Sequence, residues 1–295
     1  MAAKRKNKKS NEKDKSVIGR VKTSVVITLL NDFRVKRTLD SLLSQNRLPD
    51  EIVVADGGSK KEIFDMLHEY EKKDGRIRIY VLPGSVAETR NKVLPLLRGD
   101  IIIFLDADEI APSDWLSSLI KPIENGEADF VGGPTKSLKE PKNKCEEFVN
   151  NFSRWFYENV VSKDISMLPM GNTAWRKEIF ETTGGFDEKL KWGGEDYDIN
   201  LRALASGFKG MLVKEAWVWH DQSHLDSLGK IFRKKYKYSI GATLAYFKSR
   251  DVRKKIGRAA KTSIMYFHPI ELMNFLIKPF AFARGYMIWK KLNQT

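Results

Sequence analysis

The hydrophobic pattern of the first part of the chain alternates between short apolar runs and longer amphipathic segments. Aliphatic and β-branched runs are typical of buried parallel strands, and apolar residues every three or four positions are typical of helices. The predicted strands cover residues 23–29, 51–55, 76–82 and 101–105, and the predicted helices cover 35–45, 60–71, 86–97 and 112–123. This alternation predicts an α/β fold with a mostly parallel, Rossmann-like sheet flanked by helices.

Two further elements are predicted in the second half. Alternating apolar and polar positions predict a strand over residues 211–219, and a helical pattern covers residues 197–206. After residue 222 the pattern changes to basic helical clusters between residues 230 and 261. An apolar, aromatic segment over residues 262–289 follows. The sequence therefore predicts an α/β domain with a C-terminal helical extension.

The apolar C-terminal segment is too interrupted for a spanning helix. Pro269 and Pro279 break it, and no run approaches the roughly 20 apolar residues that a clean span requires. On a helix, one polar stripe leaves a wide apolar face, which favours an in-plane interfacial helix. The stripe consists of His268, Glu271, Asn274 and Lys278. Packing against the α/β domain, or oligomerisation, is the alternative interpretation.

Composition adds limits on partners and compartment. The chain of 295 residues has a formal net charge of +14, which suits nucleic acid, anionic lipid or a phosphorylated substrate. Residues 1–21 are too polar to fold and are predicted to form a disordered basic arm without a signal-peptide pattern. A single cysteine, Cys145, suits a reducing compartment.

Two carboxylates directly after the most apolar predicted strand are the strongest chemical signal. Asp106 and Asp108 follow residues 101–105, and side chains two positions apart on an extended chain point the same way. Oxygen ligands side by side at the carboxyl end of a parallel sheet suit Mg²⁺ or Mn²⁺ bound to a diphosphate. An acidic surface turn is the alternative.

Other polar residues occupy neighbouring strand and helix ends. Asp56 ends the second predicted strand, where it suits a base N–H or a ribose hydroxyl. Arg90 begins the helix before the DxD strand and suits a phosphate or a base. Each of them alone also fits a structural role. Together they predict a nucleotide half-site beside a diphosphate–metal site.

The motifs, in their order, resemble those of the family 2 glycosyltransferases of GT-A fold. The resemblance runs from about residue 21 to residue 222. The QxxRW signature of processive members is absent, and FRKKY (232–236) lies in its place, which argues against a processive polymer synthase. The matching segments are TLLND (28–32), VADGGS (54–59), ETRN (88–91), LDAD (105–108), MGNTAWRK (170–177), GGFDE (184–188) and GGEDYDINLR (193–202).

The resemblance implies roles for particular residues. It implies that Asp196 is the general base and that Glu195 orients the site or the acceptor; two N-capping acids are the alternative. His220 is a candidate third metal ligand with Asp106 and Asp108. The residues implied in donor binding are Thr28, Leu29, Asp56, Arg90, Asp106, Ala107, Asp108, Gly171 and Asn172.

Two tryptophans near these motifs are ambiguous. Trp175 and Trp192 suit either apolar walls for a sugar or lipid, or core packing.

The resulting hypothesis is an inverting, metal-dependent glycosyltransferase that uses a UDP- or GDP-linked sugar and a lipid-linked or cell-surface glycan acceptor. We expect a disordered arm (1–21), a GT-A domain (22–222) and a membrane-associating region (223–295) at the cytoplasmic face of an anionic membrane.

A nucleotidyltransferase or a haloacid-dehalogenase-like phosphatase also uses such a DxD. A non-enzymatic nucleic-acid-binding protein has only charge in its favour, so nucleic acid is not expected as a partner.

Overall fold

The computed structural model describes residues 20–255, 269–292 and 294, so most of the predicted basic arm lies outside it. Its core is a seven-stranded sheet in the order β3-β2-β1-β4-β8-β6-β9, beside a three-stranded sheet in the order β5-β10-β7. The strands are β1 (Thr23–Leu29), β2 (Glu51–Asp56), β3 (Ile77–Val81), β4 (Ile101–Phe104), β5 (Glu109–Ile110), β6 (Phe130–Gly132), β7 (Thr135–Ser137), β8 (Thr173–Arg176), β9 (Gly210–Leu212) and β10 (Val218–His220). The helices are α1 (Val35–Leu43), α2 (Lys61–Lys73), α3 (Val86–Val93), α4 (Trp115–Glu124), α5 (Lys144–Phe156), α6 (Lys177–Thr183), α7 (Glu195–Ala205), α8 (Leu228–Lys248), α9 (Arg250–Lys255) and α10 (Pro269–Leu292).

The first four strands of the large sheet form its parallel half. β1 lies between β2 and β4, with Leu29 opposite Asp56 and Val26 opposite Phe104. β8 runs antiparallel to both β4 and β6. The carboxyl ends of β1, β2 and β4 therefore meet at one edge of the sheet, and the predicted α/β class with a mostly parallel sheet is confirmed.

The apolar strand runs are explained by burial on both faces. Side chains of β1, β2 and β4 enter two hydrophobic clusters, one beneath α1, α2 and α4 and the other beneath α3, α6 and α7. Trp175 belongs to the second cluster, where it is fully buried and stacks on Phe130 with ring centroids 4.4 Å apart. Trp175 is therefore a core residue, and its interpretation as a wall of a sugar site is wrong.

The single strand predicted over residues 211–219 is also wrong. The chain forms β9 in the large sheet, turns, and continues as β10 in the small sheet. The backbone N–H of Ala216 donates to the Val213 carbonyl at 3.2 Å, and the Ala216 carbonyl accepts from Asn172 Nδ2 at 2.8 Å. Because apolar alternation continues across this turn, periodicity alone could not detect it.

The C-terminal helices pack on one another and on the α/β domain. Lys235 of α8 pairs with Glu271 of α10 at 2.6 Å, so the predicted polar stripe faces α8 at this position. α10 is continuous through Pro279, contrary to the predicted break, since contacts with α8 hold both halves of the helix; Ala281, just beyond the proline, is fully buried. His268 lies outside the described residues. Within residues 20–255 and 269–292, no helix combines the length and apolar content that a membrane span needs.

Candidate active site

The DxD segment forms a tight loop at the end of β4. The Asp106 N–H donates to Glu109 Oε2 at 3.1 Å, which closes the loop on the buried Glu109 side chain. A Cβ atom on Gly171 would lie 2.6 Å from Asp106 Oδ2. Only glycine therefore leaves room for the Asp106 carboxylate, which gives the GN segment a steric role at this site.

Asp108 lies between Arg34 and His220. Its carboxylate is 3.2 Å from Arg34 Nη1 and 3.4 Å from His220 Nε2. Burial raises the pKa of Asp108, but the hydrogen bond and charge of His220 and the charge of Arg34 bring it below the ordinary value. His220 is thus beside the DxD, as predicted. In the described part of the chain, no three His, Cys, Asp or Glu side chains already form a metal-binding group.

The inner part of the loop concentrates negative charge. Burial raises the pKa of Asp106, and the negative charge of Asp108 raises it further. Burial and the negative charges of Asp106 and Asp108 together raise the pKa of Glu109 well above its usual range. Lys234 of α8 faces the pair: burial lowers its pKa, and the charges of Asp108 and Asp106 counteract the shift. A cation between Asp106 and Asp108 would relieve this repulsion.

The second pair of acids opens α7, as expected. Gly194 precedes Glu195 with a φ of 89°, a left-handed conformation that glycine adopts without strain. The Asp196 carboxylate accepts a hydrogen bond from the Tyr197 N–H at 2.8 Å. Burial and the charge of Glu195 raise the pKa of Asp196 to about 7. Asp196 therefore has the proton affinity expected of a base near neutral pH.

Arg90 connects the two acidic groups. Its guanidinium is 3.1 Å from Glu195 Oε1 and lies over the rings of Phe104 and Phe186 at 5.5 and 5.4 Å. Its positive charge also acts to lower the pKa of Asp106 and of Asp196. Arg90 lies within α3 and is buried, with its guanidinium on Glu195, whereas the sequence suggested a phosphate or a base as its partner.

Asp56 closes a loop at the neighbouring strand ends. Its carboxylate accepts from Ser59 Oγ at 2.6 Å and from the backbone amides of Ser59 and Gly58 at 3.0 and 3.2 Å. The Leu29 carbonyl accepts from the Gly57 N–H at 2.7 Å. Because the Leu29 side chain lies in the core, only its backbone is available to a ligand.

Three other predicted donor-binding residues lie at the same edge. Thr28 is half-buried opposite Ala55, and the Ala107 carbonyl accepts from Thr38 Oγ1 at 2.8 Å. Asn172 adopts a φ of 57°; its Oδ1 accepts from Trp115 Nε1 at 2.7 Å and its Nδ2 donates to backbone carbonyls. The fully buried Asn172 side chain therefore braces the site, and a ligand contact would involve its backbone.

Sequence reasoning missed three residues of the site, namely Arg34, Glu109 and Lys234. Glu109 directly follows the DxD and its position was visible, but its burial was not. Arg34 and Lys234 are 200 residues apart in the chain; tertiary packing brings Arg34 into contact with Asp108 and brings Lys234 close enough for the charges of both aspartates to act on its pKa. No periodicity or motif signals such a contact.

The comparisons with known proteins agree with this architecture. Residues 24–184 match the sequence model described as glycosyl transferase family 2, which is more than half of the chain. The chain belongs to glycosyl transferase family 2. Residues 148–224 also match a model described as the N-terminal domain of galactosyltransferase. This membership favours the glycosyltransferase hypothesis over the nucleotidyltransferase and phosphatase alternatives.

Relatives within the family are distant in sequence. The chain is 26% identical to chondroitin synthase of Pasteurella multocida, over 74% of this chain and 26% of that protein. It is 25% identical to O-antigen biosynthesis protein RfbC of Myxococcus xanthus, over 70% of this chain and 18% of that protein. The chain thus spans about a quarter or less of these two relatives. An uncharacterized glycosyltransferase of Methanocaldococcus jannaschii is 25% identical over 77% of this chain and 80% of its own length.

Solved structures share the fold. The mannosyltransferase PcManGT from Pyrobaculum calidifontis, in complex with GDP-Man and Mn²⁺, superposes with a TM-score of 0.63 at 16% identity, covering 92% of this chain and 74% of that chain. TarS of S. aureus (residues 1–349), in complex with UDP-GlcNAc, gives 0.56 at 17% identity, covering 80% of this chain and 70% of that chain. These likenesses confirm the GT-A fold.

Proposed function

We propose that this glycosyltransferase moves a sugar, with inversion and with a divalent metal, from a UDP- or GDP-linked donor to a hydroxyl acceptor. The observation that carries the proposal is that one arginine acts on both acidic groups: Arg90 pairs with Glu195 at 3.1 Å, and its positive charge acts to lower the pKa of Asp106 and of Asp196. One group suits a metal-bound diphosphate, and the other suits removal of a proton.

Asp106 and Asp108 are the proposed metal ligands, with His220 as a third candidate. Their hard oxygen atoms and the raised pKa of Asp106 fit Mg²⁺ or Mn²⁺. A bound ion would neutralise charge on the diphosphate leaving group. Arg34 and Lys234 add fixed positive charge beside Asp108.

Residues at the carboxyl ends of β1, β2 and β4 are proposed to bind the donor. The loop that Asp56 closes is a candidate for contacts with the nucleoside. The neighbours solved with GDP-Man and UDP-GlcNAc support a nucleotide-sugar donor without selecting the base. The proposed donor-binding set is Thr28, Leu29, Asp56, Arg90, Asp106, Ala107, Asp108, Gly171 and Asn172.

Asp196 is the proposed general base. As the acceptor oxygen forms its bond to the anomeric carbon, the bond to the diphosphate breaks and the acceptor proton passes to the Asp196 carboxylate. A single displacement of this kind inverts the anomeric configuration. Glu195, held by Arg90, is proposed to orient the acceptor.

The proposed acceptor is lipid-linked or a cell-surface glycan precursor, reached at the cytoplasmic face of an anionic membrane. α10 has an exposed apolar stripe on one face, formed by Leu276, Phe280 and Met287, which are spaced four and seven residues apart. Arg284, one turn after Phe280, lies 5.6 Å from the ring of Trp192, just before the catalytic acids. A bilayer on this stripe would therefore border the active-site entrance.

This proposal treats residues 22–222 as the catalytic domain, residues 223–295 as a membrane-associating region and residues 1–21 as an additional basic arm. Two hydrophobic clusters, in which α8 and α10 pack on α5 and on Leu190, support a region that is fixed to the domain rather than loosely attached.

A nucleotide-sugar screen tests the proposed function. UDP- and GDP-linked sugars are incubated with the full chain, with Mn²⁺, with Mg²⁺ or with a chelator, and released nucleoside diphosphate is measured. We expect release from one donor class that depends on the metal, and NMR of the product should show inversion. No release from any donor, or equal release in chelator, would contradict the proposal.

A further inference from the structure

We infer that helix α8 holds the loop carrying the catalytic acids in its reactive position, through a backbone-to-backbone contact that only Gly241 permits. We call residues 190–196, which comprise the loop before α7 and the first two residues of that helix, the catalytic loop. The inference rests on the proposed role of Asp196 and assigns positioning residues outside the family motifs.

The contact between α8 and the catalytic loop leaves no room for a side chain. A Cβ atom on Gly241 would lie 2.4 Å from the Gly193 carbonyl oxygen and 2.8 Å from that of Trp192. On the other side of the contact, a Cβ atom on Gly194 would lie 2.8 Å from the Gly241 carbonyl oxygen and 2.9 Å from Ala245 Cβ. Helix backbone and loop backbone therefore touch directly.

The loop conformation itself also requires glycine. Gly193 and Gly194 have φ values of 108° and 89°. These left-handed conformations place Glu195 and Asp196 at the start of α7. The loop is thus determined by its own backbone and by the surface of α8 together.

Two further ties fix the segments on either side of this contact. Leu190, at the start of the loop, is buried in a cluster with Ile240 and Leu244 of α8. Lys248, at the end of α8, pairs with Asp187 just before the loop and lies 3.6 Å from Asp198 in α7. α8 therefore contacts the chain before, within and after the catalytic loop.

The position of the loop matters because a base must reach the proton that it removes. Asp196 is two residues after Gly194, so a shift of the loop moves its carboxylate relative to the acceptor and leaves the strand-end residues unmoved. A displacement of about 1 Å is enough to reduce turnover by about 100-fold. We therefore expect damage to this contact to lower turnover but not nucleotide binding.

The test compares Gly241→Ala with Gly229→Ala. Gly229 lies on the same helix, and a Cβ atom there meets nothing within 4 Å, so it is a matched control. We expect Gly241→Ala to increase amide hydrogen exchange over residues 188–198 by about tenfold and to lower nucleotide-sugar turnover by about 100-fold. The affinity for UDP or GDP with Mn²⁺, measured by calorimetry, should change less than about twofold, since a Cβ atom on Gly241 meets Trp192 and Gly193 and no residue of the strand ends.

The outcomes separate this inference from the proposed function. Exchange over residues 188–198 that is the same in both variants would overturn it, and so would faster exchange with unchanged turnover. If the unmodified chain turns over no nucleotide sugar, the proposed function fails, whereas the exchange measurement still decides whether α8 holds the loop.

A second pair of variants covers the case in which Gly241→Ala does not fold. Lys248→Met removes the ion pair without adding bulk, and Lys230→Met, which removes an exposed ion pair with Asp226, is its control. We expect only Lys248→Met to speed exchange over residues 188–198 and to lower turnover, and Lys248→Arg to restore both. Equal behaviour of Lys248→Met and Lys230→Met would refute the inference.

Discussion

At the scale of single residues, the site depends on how its carboxylates are charged. His220 and Arg34 hold the pKa of Asp108 below its ordinary value, whereas Asp106 and Asp196 are half-buried close to another carboxylate, which raises their pKa. Asp106 and Asp108 thus differ in proton affinity although they are two residues apart.

Asp108→Asn should abolish metal-dependent nucleotide binding and leave the fold intact. The substitution removes a hard anionic ligand at a half-buried position at the edge of the sheet. Calorimetry with UDP and GDP in Mn²⁺ measures the affinity, and Asp114→Asn, at an exposed position after the same strand, is the control. Unchanged affinity in Asp108→Asn would remove Asp108 from the metal site.

Asp196→Asn should lower turnover by about 10²–10⁴-fold while nucleotide affinity is retained, because the amide keeps the shape but cannot accept the proton. Turnover is measured as nucleoside diphosphate release. Near-normal turnover in this variant would transfer the role of base elsewhere, and Glu195→Gln would then be the next variant to assay.

Turnover should also depend on pH through Asp196. The pKa of this carboxyl is raised to about 7, and only its ionised form accepts a proton. The rate should therefore fall about tenfold per pH unit below about pH 6 and level off above about pH 8. Rates measured between about pH 5 and about pH 9 check this, and a flat profile over that range would be inconsistent with Asp196 as the base.

At the scale of elements, α10 carries a surface that packing within the described chain does not use. Its buried face meets α8 through Ala281 and Gly285, and its aromatic residues surround Phe247 of α8. The stripe Leu276, Phe280 and Met287 remains exposed in the described part of the chain. An apolar surface beside basic residues is typical of an interfacial helix.

Replacing the stripe with serine (Leu276→Ser, Phe280→Ser, Met287→Ser) should reduce binding to vesicles by about a thousandfold or more, because each large apolar side chain inserted contributes about 1.5–3 kcal/mol. Co-sedimentation with vesicles measures this. The control triple, Leu48→Ser, Val81→Ser and Leu96→Ser, removes exposed apolar residues of the α/β domain. Equal binding of both triples would exclude the stripe as the contact.

At the scale of the whole molecule, the net charge of +14 should make membrane binding electrostatic in part. Each Lys or Arg near an anionic surface contributes about 1 kcal/mol, and salt screens this attraction. Binding of the full chain should be stronger to vesicles with phosphatidylserine than to neutral ones, and should weaken as NaCl is raised from about 50 mM to about 500 mM. Binding that ignores both lipid charge and salt would contradict this.

Sequence alone determined the parallel half of the sheet and the motifs at its edge. The centres of β1 (25–27) and β2 (52–55), and all of β4 (101–104), are continuous apolar runs because both sheet faces are covered, and this pattern is typical of buried parallel strands. Asp106 and Asp108 were recognisable because they directly follow such a strand, and Glu195 and Asp196 because two glycines precede a helix.

Only the tertiary structure decided which distant residues complete the site. Arg34, at the N-cap of α1, pairs with Asp108, and the charge of Lys234 in α8 interacts with both aspartates of the DxD. Arg90 pairs with Glu195, which is 105 positions later in the chain. The turn between β9 and β10 depends on a hydrogen bond from Asn172. The continuity of α10 through Pro279 depends on its contacts with α8. The sequence pattern indicates burial and backbone preference only over a few neighbouring residues. These contacts instead join segments that are far apart in the sequence, so they are determined by the packing of the whole fold.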